Sequence, residues 1–193
     1  MFDYDDDFAS LSELRERFVM ISGCSGGGKS TLLEALALHG FAVQREPGRQ
    51  IVREQLFIGG DALPWADAGG FLRLVLSRAM HQLAKAAASG RLTLFDRGLV
   101  DAYAGFRRAG AAVPAWAATA VAQLRYADTV FMAPPWPEIF VQDADRRHDF
   151  DAAEAEYHDL WAAYESLGYL LVELPRSDVE SRVSFVVDRL GAP

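Results

Sequence analysis

The stretch Phe18-Val19-Met20-Ile21-Ser22-Gly23-Cys24-Ser25-Gly26-Gly27-Gly28-Lys29-Ser30-Thr31 decides how the chain folds. An apolar run of strand length, Phe18 to Ser22, leads into a glycine-rich turn. The turn passes directly into a helix-forming segment, Lys29 to His39, stopped by Gly40. From Gly23 to Ser30 the spacing is G-x-x-x-x-G-K-[ST]. Gly23, Gly26, Gly27 and Gly28 let main-chain N–H groups turn inward and form a nest for phosphate oxygens. The following helix directs the positive end of its dipole at the same anion. The loop, with Ser25 and Thr31, is therefore expected to hold a nucleoside triphosphate, Lys29 to reach its β- and γ-phosphates, and Ser30 to hold Mg²⁺ through its hydroxyl. A flexible Gly/Ser linker does not account for the buried-type residues on both sides.

The chain has 193 residues, 51% of them hydrophobic, which suits one domain with a full core. A net charge of −8 and an isoelectric point near 5.0 argue against general affinity for nucleic acid, which needs a basic face. A local basic pocket for an anion remains compatible with that balance. Residues 1–10 are acidic and lack an apolar core, and no run of 18 apolar residues occurs, so no secretory signal or membrane span is expected. A soluble, cytoplasmic protein is the resulting expectation. Cys24 is the single cysteine, which excludes an intrachain disulfide; with His39, His81 and His158 scattered, no zinc site is proposed. Cys24 reads as a tolerated loop position; the alternative is a thiol activated by the nearby helix N-terminus, whose oxidation would obstruct phosphate binding.

Residues 1–16 read as an acidic extension, Ser10-x-x-Glu13 fitting a capping box for a short helix to Arg17. Residues 17–193 read as one domain. Strands are expected over Phe18–Ser22, Phe41–Arg45, Arg91–Phe95, Thr129–Met132 and Tyr169–Leu174. Helices are expected over Lys29–His39, Arg49–Phe57, Asp67–Ser89, Leu99–Arg108, Pro114–Leu124, Asp151–Ser166 and Asp178–Leu190. Such alternation gives an α/β fold with a parallel sheet covered on both faces, whose ligands bind beyond the carboxyl ends of the strands. Gly23–Ser30, Glu46, Asp96-Arg97 and Arg176 each follow a strand, so the chemically loaded turns converge there.

Glu46 is a candidate base for an acceptor hydroxyl, and Arg49 a candidate for an anionic acceptor. Asp96 ends an apolar strand, where a carboxylate suits a metal ion better than a core; its structural alternative is a helix cap. Arg97 is placed to neutralise phosphate or fix the acceptor. Arg146 and Arg147, in a charged segment at about 137–150 read as a lid, are candidates to close over the transferring phosphoryl group; pairing with Asp143 and Asp145 is the alternative. Arg176 is a candidate lining residue of the adenine pocket. Trp65 and Trp136 read as loop packing, with a base or lid contact as the alternative.

Loop-Lys29, then Glu46-Pro47-Gly48, then Asp96-Arg97, then an arginine-bearing lid is an order that resembles P-loop kinases. It resembles small predicted AAA-type ATPase/kinase domains such as ribosylnicotinamide kinase, and also thymidylate and deoxynucleoside kinases. The resemblance covers about residues 17–190. It implies a three-layer fold with a five-stranded parallel sheet of order 2-3-1-4-5, Glu46 at the acceptor site, and Asp96 and Arg97 serving metal, phosphate or acceptor. Gly98, where those families carry Ser or Tyr, departs from the pattern. No guanine-reading Asn-Lys-x-Asp motif is present, which favours ATP over GTP. The expected activity is Mg·ATP-dependent phosphoryl transfer to a small-molecule acceptor, such as a nucleoside or nucleotide. The rival expectation is a nucleotide-binding ATPase switch acting on a protein partner.

Overall fold

The computed structural model describes residue 8 and residues 10–110, 112–140 and 149–191. The acidic stretch 1–7 and the lid arginines Arg146 and Arg147 lie outside the described residues. Five strands form one parallel sheet: β1 (Phe18–Gly23), β2 (Ala42–Gln44), β3 (Thr93–Asp96), β4 (Thr129–Ala133) and β5 (Leu170–Glu173), in the spatial order 2-3-1-4-5. β1 and β3 are buried along their whole length, whereas the edge strands β2 and β5 are partly exposed. Continuous apolar runs in the centre are what a sheet covered on both faces requires. The register pairs Ile21 with Asp96 and Gly23 with Ala133, bringing the ends of β1, β3 and β4 to one rim.

The strand period of two divides the core. Phe18 and Met20 face one layer with Phe95, Tyr126, Leu83 and Tyr164; Val19 and Ile21 face the other with Leu32, Leu36, Phe131, Val183 and Val186. The first layer is covered by α3 (Ala68–Ser89), α4 (Leu99–Arg108), α5 (Ala115–Gln123) and α6 (Phe150–Ser166). The second is covered by α1 (Lys29–Leu38) and α7 (Val179–Leu190). On α3, Leu72, Val75, Leu76, Ala79, Leu83 and Ala86 form a buried apolar stripe; Phe71 beside them is only partly buried.

Helix starts follow local chemistry. Asp67, Asp149 and Asp178 cap α3, α6 and α7 by accepting from Gly70, Ala152 and Ser181 N–H groups at 2.9, 2.9 and 2.8 Å. α2 (Pro47–Ile58) begins two residues before its expected start, because Pro47 occupies a first position whose missing N–H would have no intrahelical partner anyway. The turn Ser10–Arg17 is a 3-10 helix; its Leu11 is buried in the first core layer, and Arg15 reaches Asp128 at 3.4 Å.

Candidate functional site

The glycine loop leaves β1 with Gly23 at φ 113°, where a Cβ would strike the Ala133 main chain, so the rim admits only glycine there. Cys24 N–H donates to Ala133 O at 2.8 Å, fastening the loop to β4. The Cys24 side chain is fully buried, its Sγ near Ser25 and Ala153 carbonyls. Burial pushes the thiol pKa up, with Lys29 opposing it only in part. This corrects the idea of a thiol activated by the helix dipole: desolvation dominates, and Cys24 is a packing residue.

Lys29 is buried beneath the loop and donates from Nζ to Cys24 O at 2.8 Å and to Gly23 O at 3.4 Å. Burial first, then the Arg97 charge, lower its pKa. Ser30 Oγ donates to Asp96 Oδ2 at 3.2 Å. Asp96 is 3% exposed, and burial raises its pKa to about 6, against the pull of Lys29. Its Oδ1 has no hydrogen-bond partner. A carboxylate with one spare oxygen beside a Ser hydroxyl fits a small hard cation that takes most of its other ligands from water and phosphate. Among the described residues no group of three acidic, His or Cys side chains offers a fuller metal cage.

Arg97 stands at φ 61°, a left-handed conformation unusual for a residue with a side chain. Its N–H holds Ile21 O at 3.1 Å, and its guanidinium grips Glu156 with two bonds of 2.8 and 3.0 Å and Gly23 O with one of 3.0 Å. Glu46 Oε1 lies 3.9 Å from Arg97 Nε, and Glu46 Oε2 lies 3.2 Å from Arg49. Arg97 thus borders the cavity while its charge is already met by Glu156. Burial works against the Glu156 anion, but Arg97 holds its carboxyl down at about 2. The folded value lies below the ordinary 4.5, so the pair's stabilisation is complete above pH 4.5 and lost as pH falls toward 2. Glu156→Gln should cost about 2–4 kcal/mol at pH 7 in denaturant unfolding, because it leaves the buried Arg97 with only the longer carboxylate contacts to Asp101 and Glu46 at 3.8 and 3.9 Å. The penalty should shrink on acidification; a pH-independent difference would contradict the ion-pair account.

Gly98 explains the departure at this turn. Its absent Cβ would collide with the Tyr126 hydroxyl and with Met20, and Tyr126 in turn receives the Leu99 N–H at 3.2 Å. Asp101 ties the turn down, accepting from Ser22 Oγ at 2.6 Å, Tyr164 OH at 2.7 Å and Gly98 N–H at 2.9 Å. Sequence reading did not single out Asp101, Glu156 or Tyr164; all three meet Arg97 or its turn from α4 and α6.

Two cavities open at the strand rim. The first, about 410 Å³, is lined by Ser25, Gly26, Gly28, Lys29, Ser30 and Thr31 of the loop, by Glu46, Arg49 and Arg97, and by Trp136, Ile139, Ser177, Asp178, Val179 and Arg182. The second, about 910 Å³, runs between α1 and α2 and ends at Ser30, Glu46, Arg49 and Asp96. Gly23 and Gly27, expected to meet the phosphates, are in neither lining; their carbonyls accept from Arg97 and Arg182. Arg176 does not enter either lining: its Nε clamps Pro135 O at 2.9 Å, and the neighbouring Ser177 takes the place expected for it. Trp136 is cavity wall rather than loop packing, because β4 ends on the rim and Pro137 turns the chain across it. Six buried side-chain polar atoms lack a hydrogen-bond partner among the described residues. Five belong to residues lining these cavities: Asp96 Oδ1, Arg97 Nε, Ser177 Oγ, and Arg182 Nε and Nη2. Buried polar atoms are rarely left unpaired; ordered water, an ion or a ligand normally meets them.

Sheet order, loop and rim together define a three-layer P-loop fold. Residues 18–182 match the AAA domain family, and the chain belongs to it. Among curated proteins no sequence relative is found. Among solved structures the fold is similar to that of the NadR protein in complex with NR, at 16% identity and a TM-score of 0.64, covering 93% of this chain. The chain spans only 52% of that protein's chain. It is also similar to thymidylate kinase from Ehrlichia chaffeensis (17% identity, TM-score 0.56, covering 90% of this chain and 97% of that one). Deoxyadenosine kinase from M. mycoides, solved with the products dCMP and dCDP, is similar at 14% identity and a TM-score of 0.55, covering 91% of this chain and 100% of that one. At these identities the likeness is one of fold. No helix among the described residues is long and apolar enough to cross a membrane.

Proposed function

We propose that the chain is a Mg·ATP-dependent phosphotransferase acting on a small hydroxyl or phosphate acceptor of the nucleoside or nucleotide class. The observation that carries this reading is the junction of the two cavities. A kinase needs a triphosphate site and an acceptor site that meet where the phosphoryl group passes, and Ser30, Glu46 and Arg49 line both. A switch answering to a protein partner needs only the first. The solved kinases of similar fold support the same choice.

In this reading the loop amides and Lys29 hold the triphosphate and compensate charge on its outer phosphates. Ser30 and Asp96 would hold Mg²⁺, which when bound supplies charge neutralisation at the phosphates. Glu46, set between Arg49 and Arg97 at the junction, accepts the proton of the acceptor hydroxyl or orients it. Arg97 places Glu46 and the loop rather than meeting phosphate alone. Arg146 and Arg147 belong to the proposal as cations that close over the reaction.

The deciding experiment incubates the protein with Mg·ATP and a panel of nucleosides, nucleotides and small alcohols. A phosphorylated product identifies the kinase and its acceptor; phosphate release that no acceptor alters identifies the switch. Glu46→Gln should leave ATP affinity within about twofold and slow transfer by about 10²–10⁴, the scale of general-base catalysis. Unimpaired transfer in that variant removes Glu46 as the base.

A further inference from the structure

Arg182 has no role in the reaction outlined above, yet it is the most unusual cation of the described residues. It lies on α7 and is 3% exposed. Its Nη1 donates to Gly27 O at 3.1 Å, while Nε and Nη2 have no partner. No carboxylate of the described residues pairs with it, and burial alone lowers its pKa. The Trp136 ring stands 5.7 Å from its Cζ, a weak cation–π contact. It lies against the glycine loop and lines the same cavity: a Cβ on Gly28 would come within 2.6 Å of Nη1, and Gly28 is at φ 75°. A buried guanidinium with two idle donors and no counter-ion is costly unless an anion completes it.

We infer that Arg182 is a second phosphate-chain cation, donating from α7 to non-bridging oxygens of the nucleotide held by the glycine loop. The inference rests on the phosphotransferase reading only for the presence of a nucleoside triphosphate. Chemistry selects the phosphates over the base. A neutral base offers no charge to offset a stranded cation, whereas a polyanion offers both charge and acceptors for the planar two-donor fork. The contact with Gly27 O serves as a resting partner that keeps the guanidinium at the loop.

The test compares parent, Arg182→Met and Arg182→Lys by calorimetric titration with Mg·ATP and with inorganic tripolyphosphate, alongside melting without ligand. Arg182→Met should lose about ten- to hundredfold in affinity for both ligands, the range for hydrogen bonds to a charged group. It should melt no lower than the parent, since Met fills similar volume without a buried charge. Parent-like affinity in the Met variant overturns the inference, as does a loss seen with ATP but not tripolyphosphate, which would assign Arg182 to the nucleoside. If the Met variant does not fold, Arg182→Lys decides: lysine cannot reproduce the fork, and parent-like tripolyphosphate affinity overturns the inference. A parent that binds neither ligand overturns both this inference and the phosphotransferase reading; a parent that binds both, with unaffected variants, overturns this one alone.

Discussion

An Asp96→Asn protein should transfer phosphate about 10²–10³-fold more slowly than the parent, the scale of losing several kcal/mol of metal-borne charge stabilisation. The same substitution should make the ligand-free fold harder to unfold. Asp96 is buried, and burial raises its folded pKa to about 6 from an ordinary 3.8. The stability tied to its neutral form is therefore fully present below pH 3.8 and lost as pH rises through 6. At pH 7, in the presence of a chelator, the parent carries an ionised carboxylate with one unpartnered oxygen, and the uncharged amide relieves about 1–3 kcal/mol of that cost. Loss of activity with gain of stability is the signature of a group kept for chemistry. An Asn variant that is both less active and less stable would mark Asp96 as a structural cap, and one with parental dependence on Mg²⁺ would remove it from the metal site.

Lys29→Ala should weaken triphosphate binding by about 1.5–3 kcal/mol, the worth of a charged hydrogen bond, and slow turnover by about 10²–10³. Among the described residues Nζ donates to the loop carbonyls Cys24 O and Gly23 O. Its removal therefore takes a donor from the loop as well as a cation from the ligand, and a modest drop in melting temperature should accompany the loss. Titration with Mg·ATP and a steady-state assay check both parts. Unaltered affinity and rate would end the phosphate-loop reading.

The loop, the alternation of strands and helices and the rim position of Glu46 and Asp96 were legible because each is local: a motif, a periodicity, a residue that follows an apolar run; the strand order was implied only by the resemblance to P-loop kinases. What sequence could not place was partnership across distance. Arg97 reads as a free cation until Glu156, on α6, is brought beside it by the fold. The surroundings of Arg176 and Arg182 were hidden for a related reason. Arg176 follows a strand and so looked functional, but the turn aims it at Pro135. Arg182 did leave a signal: Val179, Arg182, Val183 and Val186 fall at i, i+3, i+4 and i+7, so an arginine occupies the apolar stripe of α7. A charge on the inward face of a helix is the pattern that would have found it.

Gly98 and Tyr126 occupy one volume between them. The turn after β3 is therefore not a site where single letters can be exchanged with a serine- or tyrosine-bearing kinase: the incoming side chain and the resident phenol cannot coexist. A graft between such proteins has to swap both positions together.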